Sequence, residues 1–168
     1  MFRVLCLGVM GFAALVLGAR SATAQSVSDP PPAINGDTPS KVIYTTSGVF
    51  DSATNATIVA CTSTQKTGGS NVLFAVEFFA DGALQNDVTV GDGDSTLTPG
   101  DTDIISTRAI TNVGDTPIAV APGIGGTGAA RVLANSTAII CSAHIVEVAT
   151  GDYQTSLPMF KKAKQAGD

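Results

Sequence analysis

The side chains best suited to chemistry are acidic and clustered. The run Gly91-Asp92-Gly93-Asp94-Ser95 is followed closely by Asp101 and Asp103. Calcium takes about six to eight oxygen ligands, and carboxylates on one turn supply several. Asp92 and Asp94 are therefore the candidate metal ligands, and calcium is the cation they would take. The spacing lacks the third acid and the terminal Glu of an EF-hand loop. Asp and Gly also favour turns that hold no metal. The favoured expectation is a plain turn and no cofactor.

Other reactive types are few. Glu77 and Glu147 are the two glutamates, the residue pair a glycosidase would need, but nothing in their spacing sets them across a cleft. Alternation places both outward. The single histidine, His144, shares a strand face with Ser142, opposite Cys141. A serine two residues away on one strand is poorly angled for attack chemistry, and no G-x-S-x-G elbow occurs. His144 therefore reads as a surface or strand-packing residue. The stretch Gly123-Ile124-Gly125-Gly126-Thr127-Gly128 matches G-x-G-x-x-G. A phosphate cradle needs a helix after those glycines. Here Ala129–Ser136 leads directly into a β-branched run, so the expected reading is a glycine loop between strands.

The cysteines depend on where the chain is cut. Arg3 precedes an apolar run from Val4 to Ala19, and Ala22-Thr23-Ala24 offers small residues for a signal peptidase. Residues 1–24 thus read as a signal peptide, with cleavage before Gln25 and no membrane span afterwards. Cys6 leaves with it, as do Arg3 and Arg20, which takes the formal charge from −5 to −7. Two cysteines in an exported chain, Cys61 and Cys141, read as one disulfide.

A chain of 168 residues allows one modest domain. Lys and Arg are too few for nucleic acid, whose phosphates demand them. Gln25–Ser40, with Pro30, Pro31 and Pro32, reads as an extended linker. From residue 41 to 151 short β-rich runs alternate with turns. They fall at Lys41–Thr46, Thr57–Ser63, Asn71–Phe79, Asn86–Val90, Ser95–Leu97, Asp103–Ala109, Pro117–Ala121, Ala130–Ala134 and Thr137–Val148. In Asn71–Phe79 the residues Val72, Phe74, Val76 and Phe78 share one face, with Leu73, Ala75, Glu77 and Phe79 on a half-exposed other face. Asp81-Gly82 signals a turn, and Thr98-Pro99-Gly100-Asp101 a type II turn that makes Ser95–Ala109 a hairpin. Residues 152–168 carry Lys161, Lys162 and Lys164 and read as a basic, unpacked tail.

The expectation is an all-β, immunoglobulin-like antiparallel sandwich of about eight or nine strands with one inter-strand disulfide. If both cysteines face inward, the bridge staples the two sheets through the core. The segments VACTST (Val59–Thr64), VEFFADGAL (Val76–Leu84), LTPGDT (Leu97–Thr102) and ARVLANSTAIICSA (Ala130–Ala143) resemble a loose group of small, exported, uncharacterised bacterial β-sandwich proteins. That resemblance implies fold and export, and no activity.

Two functions follow as expectations. The first is a non-catalytic exported structural or interaction module, periplasmic or extracellular. It would take a protein partner through strand edges near Lys41 or Pro117, or through the tail. The second is a soluble ligand-binding domain, with calcium or a small molecule in the loops Gly91–Ser95 and Gly123–Gly128.

Overall fold

The structure is a computed structural model that describes residues 30–118, 124 and 128–162. The expected signal peptide and most of the Gly123–Gly128 stretch lie outside these residues. Eleven strands follow in chain order: β1 (Lys41–Val49), β2 (Asn55–Ser63), β3 (Val72–Ala80), β4 (Ala83–Leu84), β5 (Asp94–Leu97), β6 (Thr102–Ser106), β7 (Thr116–Pro117), β8 (Gly128–Ala134), β9 (Ile139–Glu147), β10 (Tyr153–Leu157) and β11 (Met159–Lys161).

They form two sheets. The first runs β11-β1-β8-β3, with β4 and β5 both paired to the far side of β3. The second runs β10-β9-β2-β6-β7. All pairs are antiparallel except β6–β7. The core lies between them. Phe74, Phe78, Val76 and Val132 from the first sheet meet Val59, Ile105, Ile139 and Ala143 from the second. These side chains recur at period two because successive residues of a strand face opposite sides.

Turn chemistry explains several joins. Asp81 (φ 50°) and Gly82 (φ 77°) are both left-handed, the conformation a two-residue hairpin needs between β3 and β4. Thr98–Asp101 is the expected turn, with Asp101 N–H donating to Thr98 O at 3.0 Å and Gly100 at φ 88°. It does not close a hairpin, however. It carries the chain from β5 in the first sheet to β6 in the second. The strand expected over Asn86–Val90 is instead a 3₁₀ turn at Val88–Val90, capped by Asp87, whose side chain accepts from Thr89 N–H.

The described segments at 34–38 and 153–161 pack more than composition suggests. Ile34 is fully buried with Ala75, Val88 and Leu133 on the outer face of the first sheet. Thus the linker expected over Gln25–Ser40 is docked at its Ile34–Thr38 end, where Ile34 and Thr38 form a β-bridge. Within the expected tail, Tyr153–Leu157 and Met159–Lys161 form β10 and β11, which pair with β9 and β1, while 163–168 lie outside the described residues. β1, which begins at Lys41, lies between β11 and β8, with β11 opposite Tyr44–Thr46.

Gly128 sets the start of β8 against two neighbours. A Cβ there would lie 2.8 Å from Val49 O and 3.0 Å from Phe79 O, and would collide with Ile124. Gly128→Ala is expected to cost about 1–3 kcal/mol through overpacking. Chemical denaturation of the single variant measures it.

Candidate functional site

The expected disulfide between Cys61 and Cys141 is formed and is inter-strand, but it does not staple the two sheets together. Cys61 and Cys141 face each other on adjacent strands β2 and β9 of the same sheet, with Cα atoms 4.1 Å apart. Both side chains turn toward the core, so the bridge lies against it without crossing to the other sheet. Two facing cysteines on neighbouring antiparallel strands already approach closely, which lets them bond within one sheet.

Asp92 and Asp94 sit where the chain enters β5, and protein groups hold them there. Asp94 Oδ2 accepts from Asn35 Nδ2 at 3.0 Å, and Asp92 Oδ2 from Asp87 N–H at 3.4 Å. Asp103 lies across on β6 and accepts from Ser95 Oγ, while Asp101 accepts from Thr98 Oγ1 in its own turn. Among the described residues, no three His, Cys, Asp or Glu side chains are grouped to hold a metal ion.

Asn86 organises this turn and was not singled out by the sequence. Its Oδ1 accepts from Phe78 N–H, and its Nδ2 donates to Val76 O and Asp92 O, all at 2.9 Å. Its amide thereby bonds the stretch of β3 that lies between β4 and β5. Asn86→Ala would leave these buried groups unsatisfied and is expected to cost about 1–3 kcal/mol. Faster amide exchange at Phe78 in the variant, beside a lowered unfolding midpoint, would mark the lost bond.

The remaining residues are also engaged. Glu77 was expected to face solvent, yet it is 1% exposed. It faces outward from the sandwich as alternation required, but its cross-strand neighbour Arg131 forms an ion pair with it. Arg131 also lies over the Phe79 ring, 5.6 Å from its centroid. Glu147 lies in the other sheet and accepts from Thr150 Oγ1 at 2.9 Å, within the β9–β10 turn. Glu77 and Glu147 are therefore not brought together. His144 is half-buried on the second sheet. Its Nδ1 is 3.1 Å from Ser156 Oγ on β10, and the Tyr153 ring meets it edge-on at 4.9 Å. Ser156 rather than Ser142 is its hydroxyl neighbour, and the three form a cross-strand surface cluster.

A second ion pair, between the buried Asp51 and the partly exposed Arg108, ties the β1–β2 loop to the loop after β6. Arg108 Nε and Nη2 each donate to Asp51 at 2.7 Å, and Thr107 Oγ1 donates to Asp51 Oδ1 at 3.1 Å. Hydrogen bonding to Asp51 raises the Arg108 pKa above its ordinary value. Sequence reading had no signal for this pair, because the two residues are far apart in the chain and neither sits in a motif.

Two features remain open to a partner. One is a shallow cavity of about 260 Å³ on the first sheet, lined by Thr45, Phe79, Gly82, Ala129 and Arg131 among others. The other is the set of lateral strands that, among the described residues, pair on one side only: β11, β4 and β5 in the first sheet, β10 and β7 in the second. Such strands present backbone N–H and C=O groups to any chain that can lie alongside. Pro117 lies in one of them, β7. No family model, curated protein or solved structure matches this chain.

Proposed function

We propose that this protein is an exported, non-catalytic interaction module of the cell envelope or extracellular space, and that it engages protein partners through its strand edges. On this reading residues 1–24 are a signal peptide, and the sandwich is immunoglobulin-like in its broad layering. The observation that carries the proposal is the set of one-sided strands at both lateral ends of the sandwich. Backbone pairing at such an edge supplies affinity, and side chains beside it supply selectivity. The disulfide supports export, since such bonds persist in oxidising compartments.

Native mass in envelope and culture-supernatant fractions tests this. The module is expected in envelope-bound or secreted complexes well above the monomer mass. A free monomer in both fractions would overturn the proposal.

The cavity of about 260 Å³ favours a second reading, a small-ligand binder. Ligand pockets usually enclose about 300–1,000 Å³, so this one suits only a small, largely apolar molecule. A ligand at a hundredfold excess over its dissociation constant would stabilise the protein by about 2.7 kcal/mol. A thermal-shift screen with apolar metabolites and with calcium reads that directly.

A further inference from the structure

The two lateral ends of the first sheet differ in charge as well as in position. At one end β11 carries Lys161, followed by Lys162. At the other end stand β4 and β5. From Asp81 to Leu97, the chain that builds this end carries four Asp and no Lys or Arg. We propose that the partner at these edges is a second copy of this chain, with β11 of one copy pairing beside β5 of the next. This inference rests on the interaction-module reading and names its partner.

The backbone supports the pairing. Lys162 N–H donates to Ile43 O on β1 at 2.9 Å. In an antiparallel ladder successive residues point to alternate sides, so the N–H of Lys161 points away from the sheet. On the other edge, Leu73 O accepts from Asn135 N–H at 3.0 Å, which directs Leu73 away from β5. Its partner across the β3–β5 ladder, Thr96, therefore turns its own N–H and C=O outward. Thr96 is exposed. Both edges thus offer a hydrogen-bonding row to a neighbour.

The edges of the second sheet are less suited. β7 has two residues and includes Pro117, which has no N–H to donate. β10 pairs irregularly between Tyr153 and Thr155, and such bulges twist an edge away from neighbours. Charge then selects the orientation. A basic edge against a basic edge, or acidic against acidic, is repelled. Basic against acidic is attracted, over the roughly 8 Å reach of charges at physiological salt. Because the two surfaces differ, the contact is head-to-tail. Each added copy leaves one β11 and one β5 free, so the assembly grows as a ring or filament.

The test is sedimentation velocity on the protein in the processed form its cells accumulate. Wild type, Thr96→Pro and Lys161→Pro would be compared at about 0.02 M and about 0.5 M salt. Wild type is expected to rise with concentration through dimer and trimer, and to fall back toward monomer at high salt. Each proline variant alone is expected to remain monomeric. An equal mixture of the two is expected to form a dimer that grows no further, because one intact β11 meets one intact β5. If a proline variant melts early, Thr96→Lys and Lys161→Glu replace the pair. Each would then be monomeric alone and would associate when mixed. Monomeric wild type at every concentration and salt, or a proline variant that still associates, would overturn the head-to-tail pairing. A monomer in pure solution that is held in a large envelope complex overturns the second copy as partner and leaves the interaction module standing. A monomer in both settings overturns both.

Discussion

Replacing both Cys61 and Cys141 with alanine is expected to lower stability by about 4–5 kcal/mol while leaving the sandwich intact. The bond closes a loop of 80 residues in sequence, and in the chain-entropy account a loop of that size removes about this much freedom from the unfolded chain. Little of the native structure depends on the bond itself. β2 and β9 remain paired from Asn55–Glu147 to Ser63–Ile139, and Val59 and Ala143 still meet in the core. The effect should therefore appear mainly in the unfolded state. In urea the midpoint falls and the slope rises, because the unbridged unfolded chain exposes more surface. Double replacement is preferred to a single one, which would leave a lone thiol. A double variant within about 1 kcal/mol of wild type would contradict this account of the bond.

Arg131→Met is expected to cost about 3–5 kcal/mol, and adding Glu77→Leu to recover most of it. Glu77 is 1% exposed, and Arg131 is its cross-strand partner. Without the guanidinium, the buried carboxylate must stay ionised without this counter-charge or take up a proton, and either costs stability. Removing both charges replaces the pair with apolar side chains beside Phe79 and Ala129, where burial is favourable. The double-mutant cycle isolates the coupling between the two residues. If the single and double variants were equally unstable, the loss would come from packing of the Arg131 stem rather than from charge.

The strands were legible in the sequence because their apolar residues alternate. Val72, Phe74, Val76 and Phe78 define the inner face of β3 by period alone. The same alternation placed Glu77 on the correct face and gave the wrong exposure. Period reports which side of a sheet a residue occupies, and it is silent on what covers that side. Here Ile34 and Val88 pack against the outer face, and Arg131 pairs with Glu77. The Thr98–Asp101 turn was readable from Pro99 and Gly100, but local chemistry does not say whether the flanking strands share a sheet. The disulfide followed from the cysteine count and the expected signal peptide, while its position within one sheet depends on strand order, which no spacing encodes. β10 and β11 escaped notice because an edge strand is held largely by backbone hydrogen bonds, with Leu157 and Met159 alone touching the main core. The Asp92–Asp94 turn was visible as a cluster, but its organiser, Asn86, was not. A buried amide that substitutes for a strand has no composition signal.

The central claim is that this sandwich works through its strand edges, and amide hydrogen exchange at those edges tests it most directly. Peptides covering Asp94–Leu97 and Met159–Lys161 would be followed in the assembled protein and in the same protein dissociated by salt. Slower exchange in the assembled state at both segments, with Thr96 and Lys161 the most affected, is the predicted result. Equal exchange at both segments, with protection found instead around the Phe79–Ala129 cavity, would contradict it.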